Sequence, residues 1–563
     1  MAAAQGDEPV VVKMPVHAPP LCKTVPYYRQ DYKHISWFRR VYWVLCLAVA
    51  YGGLFFPWLG LVLVPIMSGL TLLGFFRGRE WCGNFCDRGA LMDGPLRMIH
   101  AKLFALPLIR RAPDTVGQIP EVLKHPAVRL LVFAILITFF VSRVIMACVE
   151  CQDFEGPDFW KKIAMIGSRM WLISVSMVIG MGILFGPRSF CYVCPMGTWQ
   201  IAMHWIHHKI FGKNSNKCEP LITLVDPDAC LKCGQCTRVC PMQLDVHNEF
   251  DEMGQLRNVD CIKCGSCVWY CAQQILEFRA PNVNEHPNPR SSPNVPAPAK
   301  QATLVDIEDL SGDTRKFKFR TLDGQGLAGG KAGQYALVQV DQKRNVYRGY
   351  TISSADPSKE PLEVTVKLDK KGYGTPRLFN LQPGAGVMVV PNLGEDFIPT
   401  EEKVKDHVLL MASGVGITPF RSIAHELLER RGHAGKVHLL YSVHGEEDVV
   451  YADEWEDLAA KYPNFEVTIL TRHPPAQNAK YERGNVWERI PKLGDPDRSC
   501  AFLCGTSTMV KKSVAALQDA GMPRENIIVE NFAKQHSRKV GIAYQRDAPV
   551  WLRCNPKYRT KVE

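Results

Sequence analysis

Hydrophobic residues are unevenly distributed along this chain, and most of the long apolar runs lie before residue 187. No charged residue occurs between Val41 and Phe76. As a single helix this stretch would be about 54 Å long, whereas the hydrocarbon core of a bilayer is about 30 Å thick. The chain must therefore turn back, most simply near Phe56–Gly60. The pattern predicts four transmembrane helices, at about residues 39–57, 59–76, 127–147 and 163–186.

Charged residues beside these spans predict the orientation of the chain. The turn near residues 56–60 is uncharged, and the loop at 148–162 is mostly acidic. Lys and Arg concentrate on the cytoplasmic side of membrane proteins, so both termini and the soluble domains are expected in the cytoplasm, with the spans in the cytoplasmic (inner) membrane. Residues 1–20 lack a signal-peptide pattern. The flanking basic residues are Lys23, Arg29, Lys33, Arg39, Arg40, Arg77, Arg79, Arg88, Arg97, Lys102, Arg110 and Arg111.

Two tight cysteine runs follow the apolar region. Both have the Cys-x2-Cys-x2-Cys-x3-Cys spacing of bacterial ferredoxins, which lets three thiolates converge on one [4Fe–4S] cluster. Zinc sites rarely place four cysteines so close together twice, so two clusters are preferred over zinc or structural thiols. The fourth cysteine of each run is expected to bind the cluster of the other run. The predicted ligand groups are Cys230, Cys233, Cys236 and Cys271, and Cys261, Cys264, Cys267 and Cys240.

Two further cysteine pairs follow the second and fourth predicted spans. Cys82-x3-Cys86 and Cys191-x2-Cys194 each begin after Arg-x-aromatic and are followed by a glycine at the same distance, which indicates a duplication. Residues 25–280 resemble the membrane polyferredoxin family of nitrate and nitrous-oxide reductase accessory proteins. That family has Cys-x3-Cys-Pro repeats, from which Asp87 and the shorter second spacer depart. The four thiols either hold a further metal or iron–sulfur centre, which we favour, or form a redox-silent structural motif.

A different motif occurs in the soluble half of the chain. The sequence Arg348-Gly-Tyr350-Thr351 resembles the Arg-x-Tyr-Ser/Thr signature of the ferredoxin–NADP reductase superfamily. The resemblance implies that Arg348 binds the FAD pyrophosphate, that Tyr350 lies against the isoalloxazine ring, and that Thr351 hydrogen-bonds near its reactive nitrogen. Further FAD contacts are implied for Ser353, Gly372, Gly374 and Thr375.

A nucleotide-binding pattern follows. An apolar strand leads into Gly414-Val-Gly416-Ile-Thr418-Pro419, where glycines let the backbone approach a dinucleotide pyrophosphate at a helix N-terminus. The superfamily resemblance, which covers residues 301–532, places the nicotinamide beside Cys504-Gly505. It implies catalytic roles for Thr351 and Cys504 and a closing aromatic contact by Phe532.

The choice between NADH and NADPH depends on the residues that would face a 2′-phosphate. Glu446 and Glu447 favour NADH, whereas Arg472 would favour NADPH. We prefer NADH and leave NADPH open.

These patterns predict a multidomain chain with a four-helix transmembrane bundle, a bacterial two-[4Fe–4S] ferredoxin domain, a β-barrel FAD domain and an α/β parallel-sheet NAD(P) domain. The last is indicated by five apolar runs separated by helical segments. The predicted boundaries are 1–35 for an N-terminal segment, 36–215 for the bundle, 216–280 for the ferredoxin domain, 281–300 for a Pro-rich linker, 301–402 for the FAD domain, 403–532 for the NAD(P) domain and 533–563 for a basic tail.

The expected function is that of a membrane-bound oxidoreductase. Flavins accept a hydride and release single electrons, so electrons are expected to pass from NAD(P)H through FAD and two [4Fe–4S] clusters. The acceptor is left open between quinone, a metal ion, a thiol such as those of Cys148 and Cys151, and a partner membrane enzyme. The alternative is a redox-sensing regulatory or assembly factor with the same cofactors. The net charge of +11 arises largely beside the spans and in the tail, so nucleic acid is not an expected partner.

Overall fold

A computed structural model describes residues 41–100, 118–151, 156–212, 219–227, 229–271, 273–281, 299–472, 480–490 and 495–530. The predicted N-terminal segment, the basic tail, Phe532 and nearly all of the predicted linker lie outside these residues. The chain forms two compact units. The first contains the apolar helices and most of the cysteine-rich region, and the second contains the α/β half.

Three helical segments of the first unit are long and apolar enough to cross a membrane: Pro57–Arg77, Pro126–Glu150 and Pro157–Leu184. Each begins with a proline in its first turn, where the missing N–H removes no helical hydrogen bond. The first predicted span begins outside the described residues. Its described part is the ten-residue apolar helix Trp43–Gly52. The chain turns at residues 53–56, just before the predicted position near 56–60, where the 3-10 turn Pro57–Val62 begins instead.

In the first unit, several short helices lie between the long ones along the chain. They are α1 (Trp43–Gly52), α2 (Leu63–Arg77, after the 3-10 turn Pro57–Val62), α3 (Glu80–Asn84), α4 (Asp87–Leu91), α5 (Glu121–Lys124), α6 (Pro126–Glu150), α7 (Pro157–Leu184), α8 (Phe190–Val193), α9 (Pro195–Phe211), α10 (Gln235–Arg238) and α11 (Ser266–Tyr270).

The long helices bury one face and expose an apolar one. On α7, Trp171, Val175 and Val178 are almost fully buried. Close contact with the 3-10 turn requires Gly60, because a Cβ atom there would lie 1.9 Å from the Ala164 carbonyl oxygen. On α6 the apolar side chains point outward instead, which suits a lipid environment. These exposed residues include Leu130, Leu131, Ile135 and Ile145.

The cysteine-rich region forms a small antiparallel sheet with two short helices. Its strands are β1 (Leu221–Leu224), β2 (Gln255–Leu256) and β3 (Leu276–Arg279), in the order β2-β1-β3. Helices α10 and α11 begin after Gly234 and Gly265, whose φ angles of 65° and 77° favour glycine. The two cysteine runs therefore have equivalent backbone conformations, as expected for a duplicated ferredoxin fold.

The second unit begins with a six-stranded antiparallel sheet in the order β7-β6-β9-β4-β5-β8. A bridge between Ile352 and Val364 and a 2.8 Å hydrogen bond from the Ser353 N–H to the Glu363 carbonyl join the outer strands, so the sheet closes as a barrel. Its elements are β4 (Lys300–Ser311), β5 (Thr314–Arg320), β6 (Tyr335–Asp341), β7 (Val346–Thr351), β8 (Leu362–Lys367), α12 (Gly374–Phe379) and β9 (Gly386–Leu393).

A parallel sheet completes this unit, in the order β13-β12-β11-β10-β14-β15. The first strand of this sheet, β10, lies between β11 on one side and β14 on the other. The strand order therefore reverses between β10 and β14, which is the topological switch point. Ligands of such sheets bind at the carboxyl ends of the strands at this point. The elements are β10 (His407–Ser413), α13 (Thr418–His425), β11 (Lys436–Val443), α14 (Ala452–Lys461), β12 (Phe465–Thr471), β13 (Glu482–Arg483), β14 (Ser499–Cys504), α15 (Ser507–Asp519) and β15 (Ile527–Glu530).

Candidate redox sites

The second ferredoxin run gathers four free thiols. Cys267 interacts electrostatically with Cys261, Cys264 and Cys240, so the last cysteine of the first run lies with the first three of the second. Burial raises the pKa of Cys261 and of Cys267. Buried thiols that converge without forming a disulfide are suited to share a metal cluster. Cys236, assigned by spacing to the other cluster, also interacts with Cys267, so the crossed grouping stays a prediction.

The first run repeats the backbone of the second. Lys232 and Lys263 occupy equivalent positions and have φ angles of 46° and 54°. Each lies between two predicted ligands, Cys230 and Cys233 in the first run. Their left-handed conformation allows three nearby thiols to turn toward one point, so the first run can take the same ligand geometry.

The structure also brings together the four cysteines that follow the membrane segments. Cys194 interacts electrostatically with Cys82 and Cys191, and Cys86 interacts with Cys82 and Cys194. Burial raises the pKa of Cys194 to about 11. These four cysteines lie at the helix junctions α2–α3–α4 and α7–α8–α9, so the two duplicated motifs lie next to each other.

Polar donors around these four thiols point at their sulfur atoms. The Gln200 Nε2 donates to Cys82 Sγ at 3.1 Å, the Gly89 N–H donates to Cys86 Sγ at 3.3 Å, and Arg188 Nη1 donates to Cys191 Sγ at 3.5 Å. Arg188 and Gln200 are almost fully buried. Such donors stabilise negative charge on sulfur, which thiolate ligands carry and plain thiols do not.

The membrane motif lies directly against the second ferredoxin run. A Cβ atom at Gly83 would be 1.9 Å from the Ile262 carbonyl oxygen, so only glycine permits this contact. Arg79 donates to Asp260 Oδ1 and to the Cys191 carbonyl, both at 2.8 Å. Cys82 and Cys261, which flank the contact, are therefore held on adjoining segments.

On the barrel, β7 carries the predicted flavin residues. Arg348 lies beside the loop before α12, with its guanidinium 5.7 Å from the Tyr373 ring centroid. A Cβ atom at Gly374 would be 2.7 Å from the Arg348 Cγ. The Tyr350 hydroxyl and the Thr351 Oγ1 are buried and have no hydrogen-bond partner. Two unpartnered buried hydroxyls beside a guanidinium fit a flavin that supplies the missing polar atoms.

Two other predicted flavin residues use their hydroxyls within the protein. The Ser353 Oγ lies 3.1 Å from Thr365 Oγ1, between barrel strands. The Thr375 Oγ1 accepts from the Asp369 N–H and donates to the Asp369 carbonyl, both at 3.0 Å. The backbone N–H groups of Ser353 and Gly372 are also used within the protein, where they donate to the Glu363 and Asp369 carbonyls at 2.8 and 2.9 Å.

The predicted nucleotide residues meet at the switch point of the parallel sheet. Gly414 has φ of 54°, and α13 begins at Thr418 with Pro419 in its first turn. A Cβ atom at Gly416 would be 2.4 Å from the Cys504 carbonyl oxygen. Gly505 has φ of 155°. The two glycine segments therefore form one crevice at the ends of β10 and β14.

Glu530, at the end of β15, is a buried acid in this crevice. Burial raises the pKa of Glu530 to about 8, and its hydrogen bond with the Cys504 thiol lowers it only in part. Burial also raises the pKa of Cys504. The Oε2 atom of Glu530 has no hydrogen-bond partner. The crevice therefore presents a carboxylic acid that is protonated at neutral pH and a thiol, both suited to contact a nicotinamide ring.

Sequence reasoning did not identify the ionic contacts that hold the barrel to the parallel sheet. Arg421 of α13 donates to Glu363 Oε2 at 2.6 Å and to the Ser353 carbonyl at 2.7 Å. The hydroxyl of Tyr451 contacts Thr365. Such pairs cannot be predicted from a local sequence motif, because the two partners are distant in the chain.

A third group of polar side chains lies where α9 meets the start of the ferredoxin sheet. His204 and His208 of α9 both face Glu219, at 3.1 and 3.4 Å between ring nitrogen and carboxylate oxygen. Burial would raise the pKa of Glu219, but hydrogen bonding by His204 and the charge of Lys263 lower it to about 2. The sequence shows the spacing of His204 and His208, whereas Glu219 belongs to no local motif.

Four models of known domain families match this chain. An oxidoreductase FAD-binding domain matches residues 301–395, and an oxidoreductase NAD-binding domain matches 410–515. A 4Fe-4S dicluster domain matches residues 222–272. A 4Fe-4S binding domain matches 56–105 and 170–214, which include both cysteine pairs of the membrane motif.

Known proteins are similar to the reductase half of the chain. Ferredoxin–NADP reductase B of Sorangium cellulosum is 31% identical over 41% of this chain and 97% of that protein. The ferredoxin reductase component of 3-ketosteroid-9-alpha-monooxygenase from Rhodococcus rhodochrous is 29% identical over 41% of this chain and 64% of that protein. The solved structure of Amycolatopsis cytochrome P450 reductase GcoB is 23% identical, covers 46% of this chain and 74% of that one, and gives a TM-score of 0.38. The chain therefore belongs to the ferredoxin–NADP reductase family, with its flavin and nicotinamide module fused to 4Fe–4S domains.

Proposed function

We propose that this NAD(P)H-dependent flavin oxidoreductase is membrane-bound and passes electrons through FAD and two [4Fe–4S] clusters to an acceptor in or at the membrane. One observation carries the electron-entry half of this proposal. The hydroxyls of Tyr350 and Thr351 and one oxygen of Glu530 are buried without partners. Bound FAD would supply the conversion of a hydride into single electrons.

The residues around the crevice would position the two substrates of hydride transfer. Arg348 presents a planar fork of donors suited to a pyrophosphate. Gly374 allows the Arg348 side chain to lie against the loop, and Gly416 allows its segment to lie against the Cys504 carbonyl. Cys504 and Glu530 would contact the nicotinamide opposite Thr351. The acidic pair Glu446 and Glu447 supports NADH over NADPH.

The cysteine groups would carry electrons onward. The crossed thiol groups of the two ferredoxin runs are the proposed ligands of the two clusters. The close contact of Gly83 with Ile262 supports transfer from the second cluster to the quartet Cys82, Cys86, Cys191 and Cys194, which we propose holds a further iron–sulfur centre.

Membrane attachment is proposed from the apolar helices. Three described segments have mean hydropathy of 2.2, 2.5 and 1.6 over their most apolar windows, and α1 is the described part of a proposed fourth span. The distribution of basic residues supports a cytoplasmic location for both termini and all cofactor domains.

The test is turnover with NADH or NADPH and ferricyanide, using detergent-purified protein prepared without oxygen. Arg348→Ala should lose bound flavin and more than about nine-tenths of this activity, since phosphate binding at this position loses its guanidinium. Arg320→Ala, at an exposed position at the end of β5, is the matched control and should keep both. Full activity in Arg348→Ala would contradict the proposed flavin entry site. Sustained turnover distinguishes a reductase from a sensor, which would be reduced once per cofactor.

Iron and acid-labile sulfide analysis tests the proposed clusters. About eight irons per chain correspond to two cubanes, and about twelve to a further centre in the membrane motif. A double change of Cys82 and Cys86 to serine should lower the count by about four if that centre exists. An unchanged count would leave those thiols without a cluster.

A further inference from the structure

The side chains of His204, His208 and Glu219 form a compact cluster outside the proposed redox path. The histidines lie one turn apart on α9, and Glu219 stands immediately before β1. The ligand-capable atoms of the three side chains all lie within 4.8 Å of one another. Glu219 is 5% exposed. This set of two imidazoles and one carboxylate is the kind that binds first-row transition metals.

The distances within this cluster match a coordination sphere. Two ligands, each about 2.0–2.1 Å from a tetrahedral zinc ion, are separated by about 3.3–3.4 Å. The His204 Nε2 lies 3.1 Å from Glu219 Oε1, and the His208 Nε2 lies 3.4 Å from Glu219 Oε2. Each ring nitrogen therefore lies near one carboxylate oxygen at about the distance that separates two ligands of one ion, and all three ligand atoms lie within 4.8 Å of one another.

Hydrogen bonding within the protein does not account for all the polar atoms of the cluster. The His208 Nε2 is buried and makes no hydrogen bond, although it faces the carboxylate. The His204 Nδ1 is likewise buried without a partner. A neutral imidazole has a free lone pair, which is the form that coordinates a metal.

The nearest competing cation is Lys263, whose Nζ lies 3.5 Å from Glu219 Oε1. It can pair with only one side of the carboxylate and does not contact the His208 nitrogen. Lys263 can therefore remain paired with Glu219 while the carboxylate binds a metal ion.

We propose that His204, His208 and Glu219 bind one divalent first-row transition-metal ion, with Zn²⁺ as the reference ion. The three protein ligands leave at least one coordination position open. The ion would cross-link α9, which packs against the membrane helix α2, to the start of the ferredoxin sheet. Its expected effect is to stabilise this junction, since an ion that binds only the folded state raises the thermal midpoint.

The test is equilibrium dialysis of ⁶⁵Zn²⁺ with the full chain, fully loaded with iron–sulfur clusters so that cysteines are occupied. One zinc per chain should bind to the wild type. Glu219→Gln and, separately, His208→Gln should weaken binding by more than about a hundredfold, since loss of a mere outer-shell partner costs about 10- to 100-fold. His207→Gln is the matched control, because His207 is on the same helix but outside the cluster, and it should bind zinc normally.

Zinc-edge X-ray absorption identifies the ligands independently of folding differences between variants. Nitrogen and oxygen neighbours at about 2.0–2.1 Å support the proposal, whereas sulfur at about 2.3 Å would place the ion on cysteines and overturn it. Absence of zinc binding by the wild type, or undiminished binding by both Glu219→Gln and His208→Gln, would also overturn it. Chelation should lower the thermal midpoint of the wild type and leave that of Glu219→Gln unchanged. An equal shift in both would contradict the stabilising role.

Discussion

Arg79, which follows the apolar helix α2, donates a 2.8 Å hydrogen bond to Asp260, the residue immediately before the proposed cluster ligand Cys261. Arg129 at the start of α6 contacts the same carboxylate oxygen. The Arg79 side chain is 2% exposed, so this ion pair is shielded from water. A single carboxylate thus compensates two buried guanidiniums that come from different helices.

We predict that Asp260→Asn strongly destabilises the junction between the helices and the ferredoxin domain. Removing one partner leaves buried charges uncompensated, which costs about 3–5 kcal/mol. The thermal midpoint, followed by iron–sulfur absorbance, should fall clearly. Asp251→Asn breaks the half-exposed pair with Arg257 and is the control, with an expected cost of about 1 kcal/mol or less. Equal midpoints in the two variants would show that the Asp260 pair adds no stability.

Gly83→Ala should disturb the contact between the membrane motif and the second ferredoxin run. Its methyl group would collide with the Ile262 carbonyl oxygen. We expect slower electron delivery to any acceptor that draws on the membrane centre, while NAD(P)H–ferricyanide activity at the flavin is retained. Gly180→Ala is the control, because a Cβ atom there meets nothing within 4 Å. Unaltered delivery in Gly83→Ala would exclude a role for this contact.

Gly416→Ala should impair nucleotide binding without removing flavin. The added Cβ would meet the Cys504 carbonyl oxygen at 2.4 Å and force the two glycine segments apart. The KM for NADH should rise by about tenfold or more, equivalent to about 1.4 kcal/mol of lost binding. Flavin content should be unchanged. Gly386→Ala, which lies in open space on β9, should leave KM as it is.

Glu530 gives the reductase module a dependence on pH. Its folded-state pKa is raised to about 8 by burial, so the folded protein holds a proton that the unfolded chain releases near pH 4.3. The stability contributed by this proton is fully present below about pH 4.3 and is lost as pH rises toward about 8. Glu530→Gln removes the titration. The thermal midpoint of flavin release in Glu530→Gln, minus that of the wild type, should therefore increase with pH up to about 8 and then level off. A constant difference between pH 5 and pH 9 would contradict the raised pKa.

Much of the parallel sheet could be predicted because its strands are buried on both faces. The run that forms β14 is buried at every position, and such strands appear in sequence as continuous apolar segments. All five predicted strands of this sheet are confirmed. The short strand β13, Glu482–Arg483, was missed because both residues are exposed and polar.

Contacts between distant segments could not be read from the chain. The sequence around Asp260 does not indicate its two arginine partners, and the sequence around Glu219 does not indicate its two histidine partners. Short-range spacing predicted which cysteines belong to one motif, since a cluster constrains its local ligands. The pairing of charges depends on how helices pack, and that is decided by burial over the whole unit.

The position of Cys240 among the thiols of the second run has a consequence for biogenesis. A cubane built on Cys261, Cys264 and Cys267 cannot acquire its last protein ligand until the earlier run has folded back onto it. Neither half of the domain can thus mature alone. With the proposed ligand groups, iron insertion can finish only after the ribosome has released residues through Cys271.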